Sequence, residues 1–332
     1  MLKVNESHLT CNLKPVFLRY WGDDLSIRVK GEAGELMGEQ KASLRGYHYE
    51  IQYAWDNPPR YAHHTHIYLT EKLWPGESML IQFSGTQWSA IADSFELIAL
   101  TLLATAIYGF VTQSRVLFKY RNIMALASVM CLIDFISYAK LLLSFVSASD
   151  GNNVLFGAGN STFDFSVRYV AWVICVPLQV AILIKLVAPD KRIATSLNKK
   201  SIPAVVIMML LGYLGELNSQ FIIILGLFSS IVFLYVLWSI FSPFKTLLTQ
   251  LSTEVRHQFI RLRLLMVSLW CIYPILYFLN CSNELYLESP NFLVAQQLIL
   301  VVADLLSKAF FSLEVFKIAR MKSNEEGFPN HE

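Results

Sequence analysis

Seven apolar stretches divide the chain beyond its first ninety or so residues, at 90–113, 121–147, 166–188, 201–217, 221–243, 261–281 and 291–318. Each is long enough, or nearly so, to cross a bilayer core of about 30 Å as an α-helix of roughly 20 residues. The fourth is the weakest, because Pro203 opens it and Gly212, Gly215 and Glu216 close it. The first is interrupted by Asp93 and Glu96, which places its leading end at the interface. The preceding segment has a different period: alternating runs at Tyr47–Tyr53 and His66–Leu69 predict short strands. The pattern as a whole predicts an all-α membrane protein, a seven-transmembrane-helix bundle with a small, partly β N-terminal region. The expected division is a cap over 1–88, the bundle over 89–320 and a tail over 321–332.

A length of 332 residues would suit two soluble domains, but 55% hydrophobic residues, 16% charged residues and a mean hydropathy of +0.45 overrule that reading. Charge orients the bundle. Arg115, Lys119 and Arg121 follow the first span, and Lys191, Arg192, Lys199 and Lys200 follow the third. Lys245, Arg256, Arg261 and Arg263 follow the fifth, and the tail brings Lys317, Arg320 and Lys322. The alternate connections hold Asp150, Asp164, Glu216, Glu284 and Glu288. Basic connections face the cytoplasm. The chain is therefore expected in the plasma membrane with its N-terminus and cap outside and its C-terminus inside. No apolar signal core follows Met1, so the first span is expected to act as signal anchor. Three glycosylation sequons, at Asn5, Asn160 and Asn280, all fall on the predicted outside.

Other candidate chemistry is sparse. His63, His64 and His66 form a surface cluster without the cysteines or acids that would complete a metal site. Five cysteines do not make a disulfide framework. Cys131, Cys175 and Cys271 lie within spans, while Cys11 and Cys281 fall on the outside and could pair or bridge subunits. No constellation reads as an enzyme's catalytic centre or a metal site, and the partners implied are the lipid bilayer and not nucleic acid.

The last span contains Asp304 and Lys308, one helical turn apart and on one face. A lysine at that depth is costly, so a functional role is the default reading. A buried amine can condense with an aldehyde; a structural Asp–Lys ion pair is the alternative. Other spans carry further patterns. The third reads Arg168-Tyr169-Val170-Ala171-Trp172-Val173-Ile174-Cys175-Val176-Pro177-Leu178, the sixth holds Trp270-Cys271-Ile272-Tyr273-Pro274, and the fourth ends Leu211-Gly212-Tyr213-Leu214-Gly215-Glu216.

Over roughly residues 90–320 these patterns resemble the microbial (type I) rhodopsins, the fourth span resembling the proteorhodopsin branch. The resemblance implies covalently bound all-trans retinal, with Lys308 as its Schiff base lysine and Asp304 as a counterion. It also implies a pocket formed by Ala171, Trp172, Cys175, Pro177, Trp270, Tyr273, Pro274 and Tyr277. Trp172 and Trp270 would face the two sides of the polyene, and Tyr273 would shape the slot and hydrogen-bond Asp304. Pro177 and Pro274 would loosen their helices locally.

The departures carry more information. Proton-pumping members have an aspartate where this chain has Ala171, and the internal proton donor position is filled by Ile182. Conventional proton pumping is therefore not expected. With Asp304 as the one near carboxylate, and Arg168 competing for it, the expected chromophore is weakly protonated in the dark and absorbs in the near-UV to blue. Chloride, or an inward-pointing Asp134, would restore protonation. Alignment on Tyr138 places Asp134 where channelrhodopsins carry a gating glutamate, and anion-conducting members replace the aspartate of the Ala171 position with a neutral residue. Asp134, Tyr138, Lys140 and Arg168 are thus the expected ion pathway or gate, with few acids and two cations favouring small inorganic anions. Asp134 could instead be a satisfied interhelical polar group, and Lys140 could snorkel to the interface. Val176 occupies the position of the gate cysteine of many channelrhodopsins. The leading expectation is a light-gated anion channel, resembling the anion channelrhodopsins. The rivals are a non-conducting photosensor with a partner and an anion pump. The resemblance also implies a homo-oligomer.

Overall fold

A computed structural model describes residues 3–5, 16–21, 24–30, 36–43, 50–52, 79–156, 162–163, 167–188, 190–218, 220–282 and 289–328. The expected strand at 66–69, the histidines at 63–66, Cys11, Asn160, Asp164, Glu284 and Glu288 lie outside these residues, as do the side chains of Asn280 and Cys281. The chain divides into two units, Met1–Met79 and Leu80–Glu332.

The first unit is built of strands. β1 (Lys3–Asn5) pairs antiparallel with β5 (Glu50–Gln52), and β5 falls inside the alternating run at 47–53. Between them β2 (Val16–Trp21), β3 (Asp24–Lys30) and β4 (Leu36–Ser43) form an antiparallel meander in the order β2-β3-β4. Its register runs from Val16 opposite Val29 to Trp21 opposite Asp24, with a shift between Val29 and Lys30 on the β4 side.

The second unit is a ring of helices. They are α1 (Gly85–Val111), α2 (Phe118–Ser147), α3 (Val167–Val187), α4 (Lys191–Glu216), α5 (Ile222–Leu247) and α6 (Thr253–Ser282). Each of the six is long and apolar enough to cross a membrane. A seventh crossing is composite: α7 (Pro290–Asp304), a π-helical stretch (Leu305–Phe310) and α8 (Phe311–Glu325) follow without a break. Consecutive helices pack on one another, and α7 and α8 close the ring against α1, α2 and α6. Leu102, Ala127, Met130 and Val180 are fully buried inside the bundle, while Leu97, Ile231, Leu234 and Trp238 face outward as a lipid-facing surface would.

Several helices start earlier than the apolar runs. α1 begins at Gly85 because Ser84 caps it: its hydroxyl accepts from the Gln87 N–H at 3.2 Å and the Gln87 side chain accepts from the Ser84 N–H at 2.8 Å. α4 begins ten residues before the expected position, with the Asp190 carboxylate accepting from the Ile193 N–H at 2.9 Å. Lys191, Arg192, Lys199 and Lys200 are therefore in its opening turns rather than in a loop, and Pro203 is interior. Hydropathy marks what lies in hydrocarbon; the caps mark where the backbone starts to coil. With 26 residues, α4 is about 39 Å long, more than the apolar core requires.

At the end of the bundle where α1 starts, β6 (Met79–Gln82) joins the hairpin of β7 (Ser149–Asp150) and β8 (Asn153–Phe156) in the order β6-β8-β7. Gly151, at φ +60°, makes the turn, a backbone setting that a side chain would strain. Beneath this sheet Phe83, Phe95, Phe145, Phe156 and Phe163 form one buried cluster with ring centroids 5.3–6.4 Å apart.

Candidate functional site

The site is organised by the π-helical stretch of the seventh crossing. The Phe311 N–H reaches back five residues to the Leu306 carbonyl, one more than in an α-helix. Widening the turn turns backbone carbonyls away from their usual donors, and side chains from neighbouring helices take them up. Gln179 of α3 donates to the Ser307 carbonyl, and the Cys131 thiol of α2 points at the Lys308 carbonyl at 3.7 Å and at Ser312 Oγ at 3.2 Å. Lys308 sits inside the stretch, 2% exposed.

Asp304, at the end of α7, accepts from three donors on three helices. Lys308 Nζ forms an ion pair with it, Tyr138 Oη of α2 donates at 2.6 Å, and Tyr273 Oη of α6 donates at 2.7 Å. All of these groups are buried or nearly so, where charge-assisted hydrogen bonds are strongest. Tyr273 also lies 3.5 Å from Ser307 Oγ.

From Lys308 a largely apolar cavity extends between α3, α4, α5 and α6. Trp172, Val176, Met208, Phe233, Trp270 and Tyr273 form much of its wall. The Trp172 and Tyr273 rings meet edge to face at 4.9 Å, and Lys308 Nζ is 5.9 Å and 5.7 Å from their centres. Toward the far end, the Tyr277 ring lies in a slot left by Gly215 and Gly226. A Cβ on either glycine would collide with it, and its hydroxyl donates to the Ile222 carbonyl at 2.9 Å.

The expected pathway residues do not all converge. Asp134 is fully buried and within electrostatic reach of Lys308 and Cys175, and one of its carboxylate oxygens has no hydrogen-bond partner. Asp304 is thus not the one carboxylate near Lys308. Ala171 and Cys175 are buried on α3, outside the wall of the cavity, while Pro177 is half-buried. Lys140 is exposed on the outer face of α2, away from Asp134 and Tyr138. Arg168 does not compete for Asp304. Its guanidinium makes no hydrogen bond to that carboxylate and lies 5.8 Å from the centre of the Tyr138 ring, whose hydroxyl holds Asp304.

Gln179, Cys131, Ser307 and Ser312 belong to the site and carried no motif of their own; only their polarity inside apolar spans could have marked them. Among the described residues no group of His, Cys, Asp and Glu could hold a metal ion, and Cys131, Cys175 and Cys271 are free thiols.

The arrangement matches known proteins. The sequence profile of the bacteriorhodopsin-like protein family covers residues 90–321. A green-light absorbing proteorhodopsin from Gamma-proteobacterium EBAC31A08 is 24% identical over 234 residues, 70% of this chain and 87% of that protein. Sensory rhodopsin-2 of Natronomonas pharaonis is 28% identical over 168 residues, 49% of this chain and 65% of that protein. The crystal structure of xanthorhodopsin, a light-driven ion pump with dual chromophore, superposes with a TM-score of 0.68 at 27% identity, covering 75% of this chain and 99% of that one.

Proposed function

Because the chain belongs to the bacteriorhodopsin-like protein family, we propose that it is a retinal-bound photoreceptor that opens, in light, a path for small inorganic anions. Members of this family carry retinal, and the residues present fit all-trans retinal attached covalently to Lys308: a buried primary amine opens onto an apolar, aromatic cavity. When bound, retinal supplies light-driven isomerisation and a positive charge at the attachment nitrogen. Asp304, held by Tyr138 and Tyr273, balances that charge and fixes its direction. Trp172 and Tyr273 narrow the cavity next to Lys308, and Trp270 completes the wall. Movement at the Lys308 nitrogen bears on α2 and α6 through the two tyrosines and on α3 through Gln179.

The observation that carries the anion reading is the inner wall of α3. It presents a buried cation, Arg168, and an alanine, Ala171, where a proton-accepting carboxylate would be needed for outward pumping. A path beside an uncompensated cation attracts anions and repels cations. Ile182, also buried, offers no internal proton donor. Asp134 is the residue of the pathway that decides the dark protonation state at Lys308. A pH titration of the absorption band in the wild type and in Asp134→Asn reads that role; identical titrations would remove it. The proposed disposition is plasma membrane, with residues 1–88 as an extracellular cap, 89–320 as the bundle and 321–332 as a cytoplasmic tail, in a homo-oligomer.

Photocurrent in a voltage-clamped cell tests the proposal. A reversal potential that follows the chloride gradient supports it, and a current that tracks the cation gradients overturns it. A stationary current that never reverses indicates a pump. The likeness to a sensory rhodopsin favours one further reading, a non-conducting photosensor acting through a partner, for which the same cell shows no current although the pigment bleaches.

A further inference from the structure

The opening turns of α4 carry a basic face that the rest of the chain does not answer. Lys191, Arg192, Lys199 and Lys200 are all exposed, and among the described residues none of their side chains has a hydrogen bond or an ion pair. Basic groups elsewhere at this end of the bundle are held within the fold. Lys119 pairs with Glu326, Lys322 donates to the Leu186 carbonyl at 2.8 Å, and Arg121 donates to the Val116 carbonyl at 3.3 Å. The nearest acid in sequence, Asp190, is occupied with the Ile193 N–H, so the helix terminus is already capped and the side chains alone are left to bind. Four like charges gathered on one face repel one another and contribute no bond to the fold.

Spacing and rotation build the face. Ser201 is fully buried and meets Ser239 of α5 hydroxyl to hydroxyl at 3.1 Å, which fixes how α4 is turned. Lys191, Thr195 and Lys199 then form one row along the exposed side, four residues apart, and Arg192, Ser196 and Lys200 form the row beside it. Each row sets a hydroxyl between two cations, and all of these residues except Lys200 line one shallow groove.

Depth selects the ligand. The apolar run of this span begins at residue 201. At about 1.5 Å per residue, Lys199 and Lys200 stand about 1.5–3 Å beyond that level, and Lys191 and Arg192 about 13–15 Å beyond it. The headgroup layer on each side of a bilayer is about 5–8 Å deep. The inner pair is therefore level with the phosphodiester of any phospholipid, whereas the outer pair stands past an ordinary headgroup. A lipid that engages both pairs carries a second anionic group on a headgroup that projects toward the aqueous side.

We propose that this face of α4 binds an anionic phospholipid whose headgroup bears a phosphate monoester beyond the phosphodiester, the class of the phosphorylated inositol lipids. Lys199 and Lys200 take the phosphodiester. Lys191 and Arg192 take the outer phosphate, Arg192 with the paired N–H bonds that a guanidinium offers to phosphate oxygens. The site lies outside the cavity at Lys308 and does not require that the protein conduct ions.

The test reads neither light nor current. The purified full chain in detergent micelles is titrated with a fluorescent short-chain phosphatidylinositol bisphosphate. Binding is expected to saturate, with phosphatidylserine competing at least about tenfold more weakly at matched charge. Lys191→Gln with Arg192→Gln should weaken the bisphosphate lipid by about tenfold or more and leave phosphatidylserine unchanged. Lys199→Gln with Lys200→Gln should weaken both lipids. All four side chains are exposed, so the variants should keep the wild-type unfolding temperature; should one not fold, the competition on the wild type decides alone. Phosphatidylserine competing equally at matched charge overturns the proposal, leaving a general attraction to anionic surfaces. Undiminished binding with all four cations replaced overturns it as well. Displacement by inorganic phosphate at the lipid's own concentration would assign the face to free phosphate and remove the lipid.

Discussion

Two buried cations lie within one bundle and are treated oppositely. Lys308 has Asp304 beside it, and that carboxylate is further gripped by Tyr138 and Tyr273, so every strong donor in the cluster has an acceptor. Even the carbonyls of the widened turn are covered by Gln179 and Cys131. Arg168 is just as deeply buried and has aromatic rings for neighbours but no acceptor. The first arrangement is complete without help and suits a group that must be aimed. The second is incomplete, and an incomplete buried charge is where a molecule from solution is wanted. Burial alone would have ranked the two together; the count of satisfied donors separates them.

The largest expected effect breaks the Lys308 side outright. Lys308→Ala should abolish the absorption band that forms on adding all-trans retinal to purified protein, and a retained band would overturn the attachment. Next, Asp304→Asn removes the carboxylate paired with buried Lys308 and leaves only the unpaired Asp134 within electrostatic reach. Thermal or denaturant unfolding should show a loss of about 3–5 kcal/mol, and a loss under roughly 1 kcal/mol would show that the cluster is not the tight unit described.

Tyr273→Phe and Tyr138→Phe each delete one donor to Asp304 and should cost about 1.5–3 kcal/mol. Tyr138→Phe keeps the ring beside Arg168, so its cost should be that of the lost bond to Asp304 and should match that of Tyr273→Phe. A comparable or somewhat smaller change follows from Gly226→Ala, whose Cβ would run into the Tyr277 ring. Displacing Tyr277 should cost about 1–3 kcal/mol and shift the pigment's absorption.

The smallest effect lies at the other end of the bundle. Glu326 takes an ion pair from Lys119 and a hydrogen bond from Tyr120. Burial pushes its carboxyl up, but the bonds from Lys119 and Tyr120 outweigh that and hold it below the ordinary carboxylate range. Its contribution is therefore present at neutral pH and is lost as acid protonates the folded form. Because the pair is largely exposed, Glu326→Gln should change stability by no more than ~1 kcal/mol, and only above the pH at which the carboxyl titrates.

Much of the Lys308 side was legible in the sequence because its constraints are local. A lysine and an aspartate one turn apart in an apolar run, and tryptophans beside prolines, are informative before any packing is known. The Arg168 side was not, because its character is set by which face each helix turns inward. Tyr138 reads from sequence as a pathway residue, yet its bond to Asp304 and its place beside Arg168 depend on three helices meeting. Asp134 and Tyr138 are four residues apart and share a face. Lys140 is two residues from Tyr138, about 200° around the helix, and its outward direction was available from spacing alone. The early start of α4 was missed for another reason: Asp190 is a capping signal, and a hydropathy scan does not register caps.

Tyr138 touches both charges, its ring beside Arg168 and its hydroxyl on Asp304. Two binding events that share one residue are thermodynamically linked, and linkage is reciprocal. Any charge arriving beside the guanidinium would change how tightly the Lys308 nitrogen keeps its proton, and that proton would change the affinity for the arriving charge by the same factor. With retinal attached at Lys308 as proposed, the colour of the pigment would register the charge beside Arg168, although the two groups share no direct contact.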